Sequence, residues 1–244
     1  MLTLILAGTA TALATGLGAI PVSLLGGRAE ALRPALWGLA AGVMAVASVA
    51  GLLLPALDEG SVGDVRAGLA AGILFLVVSR AIVDRRELAA GTTRGVGVRA
   101  SVLVFAVLLV HSLPEGFAIG TAFASDTEGL ALFVILAIAI QNIPEGTSVA
   151  IPMNATGASP SCQFWAAVAT SAPQPVGAVL AYLLVEEIEA LLPFSFAFAA
   201  GAMLALVVAE LLPDAVSGGR WLAAGAGLLA GALAMLAASA ALNL

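Results

Sequence analysis

Two matching hexapeptides carry the side chains with chemistry in this sequence: His111-Ser112-Leu113-Pro114-Glu115-Gly116 and Gln141-Asn142-Ile143-Pro144-Glu145-Gly146. Each sets a metal-capable side chain four residues ahead of a glutamate, which puts both on one face of a helix. His111 with Glu115, and Gln141 with Glu145, are thus two prongs on two helices. The proline before each glutamate leaves a carbonyl without its helical donor and bends the chain, turning further oxygens toward the same point. Carboxylates deep in hydrocarbon cost roughly 3 kcal/mol or more each and demand a counter-charge. A divalent cation is the simplest one. One imidazole nitrogen, two carboxylates and one amide oxygen suit Zn²⁺, Cd²⁺, Fe²⁺, Mn²⁺ or Co²⁺, and disfavour Cu⁺, which prefers sulfur.

The elements that position these residues follow from composition. The 244 residues are 61% hydrophobic and 10% charged, against about 25% charged in soluble domains, and the mean hydropathy is +1.12. A polytopic α-helical membrane protein is the ordinary class that fits, because spanning helices satisfy their own backbone in lipid. A net charge of −6 argues against nucleic-acid partners. The single cysteine, Cys162, excludes a disulfide within the chain and is expected buried at a helix start. A span needs about 20 residues, and the apolar stretches predict eight: 2–25, 34–56, 65–83, 99–123, 129–153, 163–185, 190–212 and 219–242. The first has no arginine before Arg28, so it reads as a membrane helix and not a signal peptide. No loop is long enough to be a domain, so residues 1–244 form one transmembrane domain.

Arginine alone carries the positive-inside signal, since lysine is absent. Arg28, Arg33, Arg80, Arg85, Arg86, Arg94, Arg99 and Arg220 fall on one side and only Arg66 on the other. That asymmetry puts both termini outside a cell (plasma) membrane. The outer loops are acidic, with Asp58, Glu59, Asp64, Asp126, Glu128, Glu186, Glu187 and Glu189. Three acids fall within spans: Glu115, Glu145 and Glu210. The short connection near 124–128 makes the fourth and fifth spans antiparallel neighbours, so their motifs meet at similar depth. Gln174, between Pro173 and Pro175, contributes an oxygen to the path or acts as interhelical glue.

HSLPEG and QNIPEG resemble the signatures of the ZIP (Zrt/Irt-like) family of divalent metal transporters, close to its prokaryotic branch. TGLGAIPVSLL, AAGVMAVAS, TSAPQPVGA and AGAMLALVVAELLPDA extend the resemblance over most of the chain. It implies eight helices with both termini outside, and a metal site between kinked helices 4 and 5 with helix 6 alongside. It implies that zinc foremost, or Cd, Fe, Mn or Co, moves toward the cytoplasm as a bundle of helices 1, 4, 5 and 6 rocks against the rest. Carried over position by position, the first metal site falls on His111, Glu115, Gln141 and Glu145. The second site falls on Ser112, Asn142 and Gln174, where the family pattern has an asparagine and two acids. One well-bound ion per chain is therefore expected. Asp58 is a candidate for first capture, Met44 and Ser48 either line the path or serve packing or lipid-facing roles, and Glu210 is a path residue or a structural acid.

Rival readings come from other classes. A zinc hydrolase is disfavoured by one histidine and no HExxH; no enzyme activity is expected. A membrane metal sensor lacks room for an output domain, and a proton-coupled carrier of another solute would use Glu115 and Glu145 as its relay. Gly225 to Gly231 permits close helix packing, inside the chain or in a homodimer.

Overall fold

The computed structural model describes residues 1–89 and 96–244, with side chains described outside 83–109 and residue 218. Of the arginines used for topology, Arg85, Arg86, Arg94 and Arg99 lie outside the described side chains. All regular structure among the described residues is helical. Among the described residues, six helices are long and apolar enough to cross a membrane.

The first of these, Leu2–Glu59, counts 58 residues, roughly 87 Å at 1.5 Å per residue and far more than one crossing of a ~30 Å hydrocarbon layer. It turns back on itself. α1 (Leu2–Leu17) and α2 (Ala19–Leu25) are followed by a 3₁₀ segment, Gly26–Leu32, and then by α3 (Arg33–Ser48), a π turn (Val49–Leu53) and α4 (Leu54–Glu59). Asn142 meets Thr11, Thr147 meets Gly18 and Val22 clusters with Ala150, so the first arm runs parallel to the helix at 130–155. Ala29 also clusters with Ala150, and Gly51 lies against Phe133, so the second arm runs back. The reversal begins at Gly26, whose φ of 55° favours glycine.

The remaining helices are α5 (Val62–Ala89), α6 (Val96–Ala124), α7 (Leu130–Ala155), α8 (Pro160–Thr170), α9 (Pro173–Glu187), α10 (Leu192–Leu206), α11 (Leu212–Val216) and α12 (Trp221–Leu242). Proline explains many of the starts. Pro34, Pro55, Pro160, Pro173, Pro193 and Pro213 occupy first-turn positions, where a missing N–H costs nothing. The π turns Val49–Leu53 and Val207–Leu211 precede Leu54-Pro55 and Leu212-Pro213. There the Leu54 and Leu212 N–H groups reach back to the Val49 and Val207 carbonyls, widening the helix just ahead of each ring. Pro114 and Pro144 lie inside continuous α-helix, as does Pro152.

Small residues set the packing. Gly38 and Gly42 of α3 abut the α12 backbone at Ala224 and Leu228, while Gly227 and Gly231 of α12 abut the α3 backbone at Ala35 and Leu39. The small-residue stripe of α12 is therefore used within the chain at Gly227 and Gly231, and Gly225 faces open space. Gly68 and Gly72 of α5 face the α10 backbone at Phe194 and Phe198, and Gly201 faces Leu69 in return. Close backbone approach of this kind supplies the van der Waals contact that holds helices together in lipid. Leu222, Leu229, Leu233 and Leu236 of α12 are exposed, as an apolar solvent allows. Cys162 corrects an expectation: it does stand at a helix start, with its backbone N–H donating to the Ser159 side chain, but it is exposed, because α8 buries the face that carries Gln163, Ala167 and Thr170.

Candidate metal site

The glycines that close the two motifs bring the site helices together. A Cβ on Gly146 would strike the Thr15 carbonyl of α1, and one on Gly116 would strike the Gln174 backbone of α9. Both contacts place a helix backbone within one turn of a motif glutamate. The glutamates are therefore walled in by α1, α7 and α9.

Glu115 is fully buried. Gln141 of α7 donates from Nε2 to its Oε1 at 2.7 Å, and Gln174 of α9 donates from Nε2 to its Oε2 at 2.6 Å. Glu145, one helical turn from Gln141, brings its carboxyl against that of Glu115. Its Oε1 and the Oε1 of Gln141 are buried acceptors with no hydrogen-bond partner. A buried acceptor left unpaired costs about 1–3 kcal/mol, so two of them on adjacent turns beside a second acid call for a small cation. The oxygen set fits a divalent ion.

His111, the remaining expected ligand, lies beside a third acid of the spans. Its Nε2 lies 3.3 Å from Glu210 Oε1, in the π turn after α10, and Arg80 Nη1 of α5 lies 2.9 Å from the same oxygen. Arg80 also donates to the Ala209 carbonyl at 3.4 Å, beside the widened turn. Among the described residues no three of His, Cys, Asp and Glu gather around one point. The side chains bonded to Glu115 are amides, and the imidazole is engaged with Glu210.

The residues at the expected second site saturate one another. Asn142 donates from Nδ2 to the Thr11 carbonyl at 2.7 Å and to Gln174 Oε1 at 3.2 Å, and Thr11 Oγ1 donates to Gln174 Oε1 at 2.8 Å. Ser112 Oγ donates to the Thr170 carbonyl at 2.9 Å. That carbonyl is available because the helix breaks between α8 and α9, where the Gln174 N–H bonds to Ser171 and not to Thr170. Thr15 and Ser171 close the break with a hydroxyl pair at 2.7 Å.

The path candidates divide. Met44 is buried in the main apolar core, Ser48 is buried with an unpartnered Oγ, and Asp58 is exposed at the end of α4. Glu210 faces His111 and Arg80 as an ion-pair partner, although its Oε1 meets neither with hydrogen-bond geometry. Arg80 was legible in the sequence only as a topological charge, although an arginine inside an apolar stretch is itself a signal of a buried partner.

Residues 86–239 match the family model described as the ZIP zinc transporter. An Arabidopsis thaliana protein is 38% identical over 213 residues, covering 84% of this chain but 33% of that longer protein. The zinc transporter GufA of Myxococcus xanthus is 34% identical over 238 residues, covering 93% of this chain and 92% of its own. The zinc transporter ZIPB of Bordetella bronchiseptica is 32% identical over 252 residues, covering 95% and 79% respectively.

Proposed function

This chain belongs to the ZIP zinc transporter family, and from that premise we propose that it carries a divalent metal ion, zinc foremost, across a membrane toward the cytoplasm. Glu115, Gln141 and Glu145 receive the ion, and His111 completes the set after leaving Glu210. The observation that carries this reading is the pair of unpartnered acceptors, Gln141 Oε1 and Glu145 Oε1, buried beside Glu115. An ion there satisfies both oxygens and compensates the acids at once.

The substrate is a single ion per chain. Asn142 and Gln174 contribute no charge and already use their oxygens on each other and on Thr11. Two dications would face only Glu115 and Glu145. The doubled-back Leu2–Glu59 stretch, the arginine asymmetry and α6 support eight crossings with both termini outside. Movement of α1, α6, α7, α8 and α9 against the glycine-sealed pairs α3–α12 and α5–α10 would open the site to either side.

Zn²⁺ flux into proteoliposomes tests the reading. Glu145→Ala and His111→Ala should each lower uptake by at least tenfold while leaving the amount of inserted protein unchanged. Cd²⁺ should compete with Zn²⁺ for the same flux. Uptake that survives Glu145→Ala at full rate would remove the site from the pathway.

A further inference from the structure

Arg80, Glu210 and His111 form a chain that joins three helical elements, α5, the π turn after α10, and α6. Arg80 Nη1 and His111 Nε2 converge on one oxygen, Glu210 Oε1, at 2.9 and 3.3 Å. Arg80 is pinned a second time by the Ala209 carbonyl. A guanidinium stays protonated at any working pH and cannot ligate a metal. It is therefore a cation that never leaves, standing one carboxylate away from the imidazole.

We propose that Arg80 is a tethered counter-cation that occupies Glu210, keeps that carboxylate out of the ion's coordination, and so sets how tightly the transported ion is held. This rests on the transport reading above. An entering dication draws His111 away from Glu210, and Glu210 keeps Arg80 as its partner. Without Arg80, Glu210 would follow His111 onto the ion as a third carboxylate, giving tight capture and slow release. Arg80 acts through Glu210 and is a positioning residue.

The logic predicts opposite signs for two substitutions. In Zn²⁺ uptake by proteoliposomes, Arg80→Ala should lower KM about tenfold and lower the maximal rate with it, because the freed carboxylate retains the ion. Glu210→Gln should raise KM, since Arg80 then faces the ion uncompensated. Arg80→Ala combined with Glu210→Gln should return KM to near its starting value, and Arg80→Lys should preserve it. A purely structural pair would instead lower the thermal stability of all the variants without an ordered shift in KM. Shifts of the same sign for the two single variants, or no shift in either while the unaltered protein transports normally, would overturn the proposal. If Arg80→Ala does not insert, Glu210→Gln decides: an unchanged or lowered KM overturns it. Absence of Zn²⁺ uptake by the unaltered protein would instead fail the transport reading itself.

Discussion

Glu115 is the residue around which the site closes, because both of its oxygens are taken by amide N–H donors from two different helices. Neutral amides make those bonds with no ion present, and they add no charge to the site. Asn142→Asp together with Gln174→Glu should raise bound Zn²⁺ from one to two per chain, measured by equilibrium dialysis of the detergent-solubilised protein. The same double variant should lose thermal stability without metal, since each added buried carboxylate costs roughly 3 kcal/mol or more. Unchanged stoichiometry would show that the amide network is not what keeps a second ion out. The residue types and the four-residue spacing of His111, Glu115, Gln141 and Glu145 were legible in the sequence. The partner of His111 was not, because Glu210 and Arg80 reach it from separate helices and no spacing rule links them.

Helical elements were legible wherever hydropathy is sustained, and their interruptions were not. Windows of apolar residues merge α8 with α9 and pass over both π turns, because the break at Ser171 and the widened turns change hydrogen bonding without changing polarity. Proline was a sound marker of first turns, yet Pro114 and Pro144 sit inside continuous helix. Glycine marked contacts more than flexibility. Gly146→Ala should destabilise the protein by about 1–3 kcal/mol, since its methyl collides with the Thr15 carbonyl and backbones must separate. Gly225→Ala, with open space around it, should be neutral or stabilising by about 0.5–1 kcal/mol. Thermal unfolding in detergent separates the two, and equal effects would remove the packing explanation.

At the scale of the whole molecule, the proposed ligands of the ion are also proton acceptors. A neutral imidazole and ionised carboxylates bind metal, so acid competes with the substrate. Zn²⁺ uptake should fall as the pH drops from about 7.5 to about 5, with KM rising more than the maximal rate falls; a flat profile would mean that binding does not limit transport. The overall class was plain from composition, and the doubled course of Leu2–Glu59 was foreseeable from its length, because helix cannot extend three bilayers deep. The direction of each arm required contacts that composition does not encode. One such set of contacts has a dynamic consequence. Thr11, Asn142 and Gln174 lace α1, α7 and α9 with polar rungs, whereas Gly51 meets Phe133 across an apolar seam. Sliding any laced helix alone would strand several donors in oil together, so slip belongs to the greasy seam, and the three laced helices should travel as a single piston with their cargo aboard.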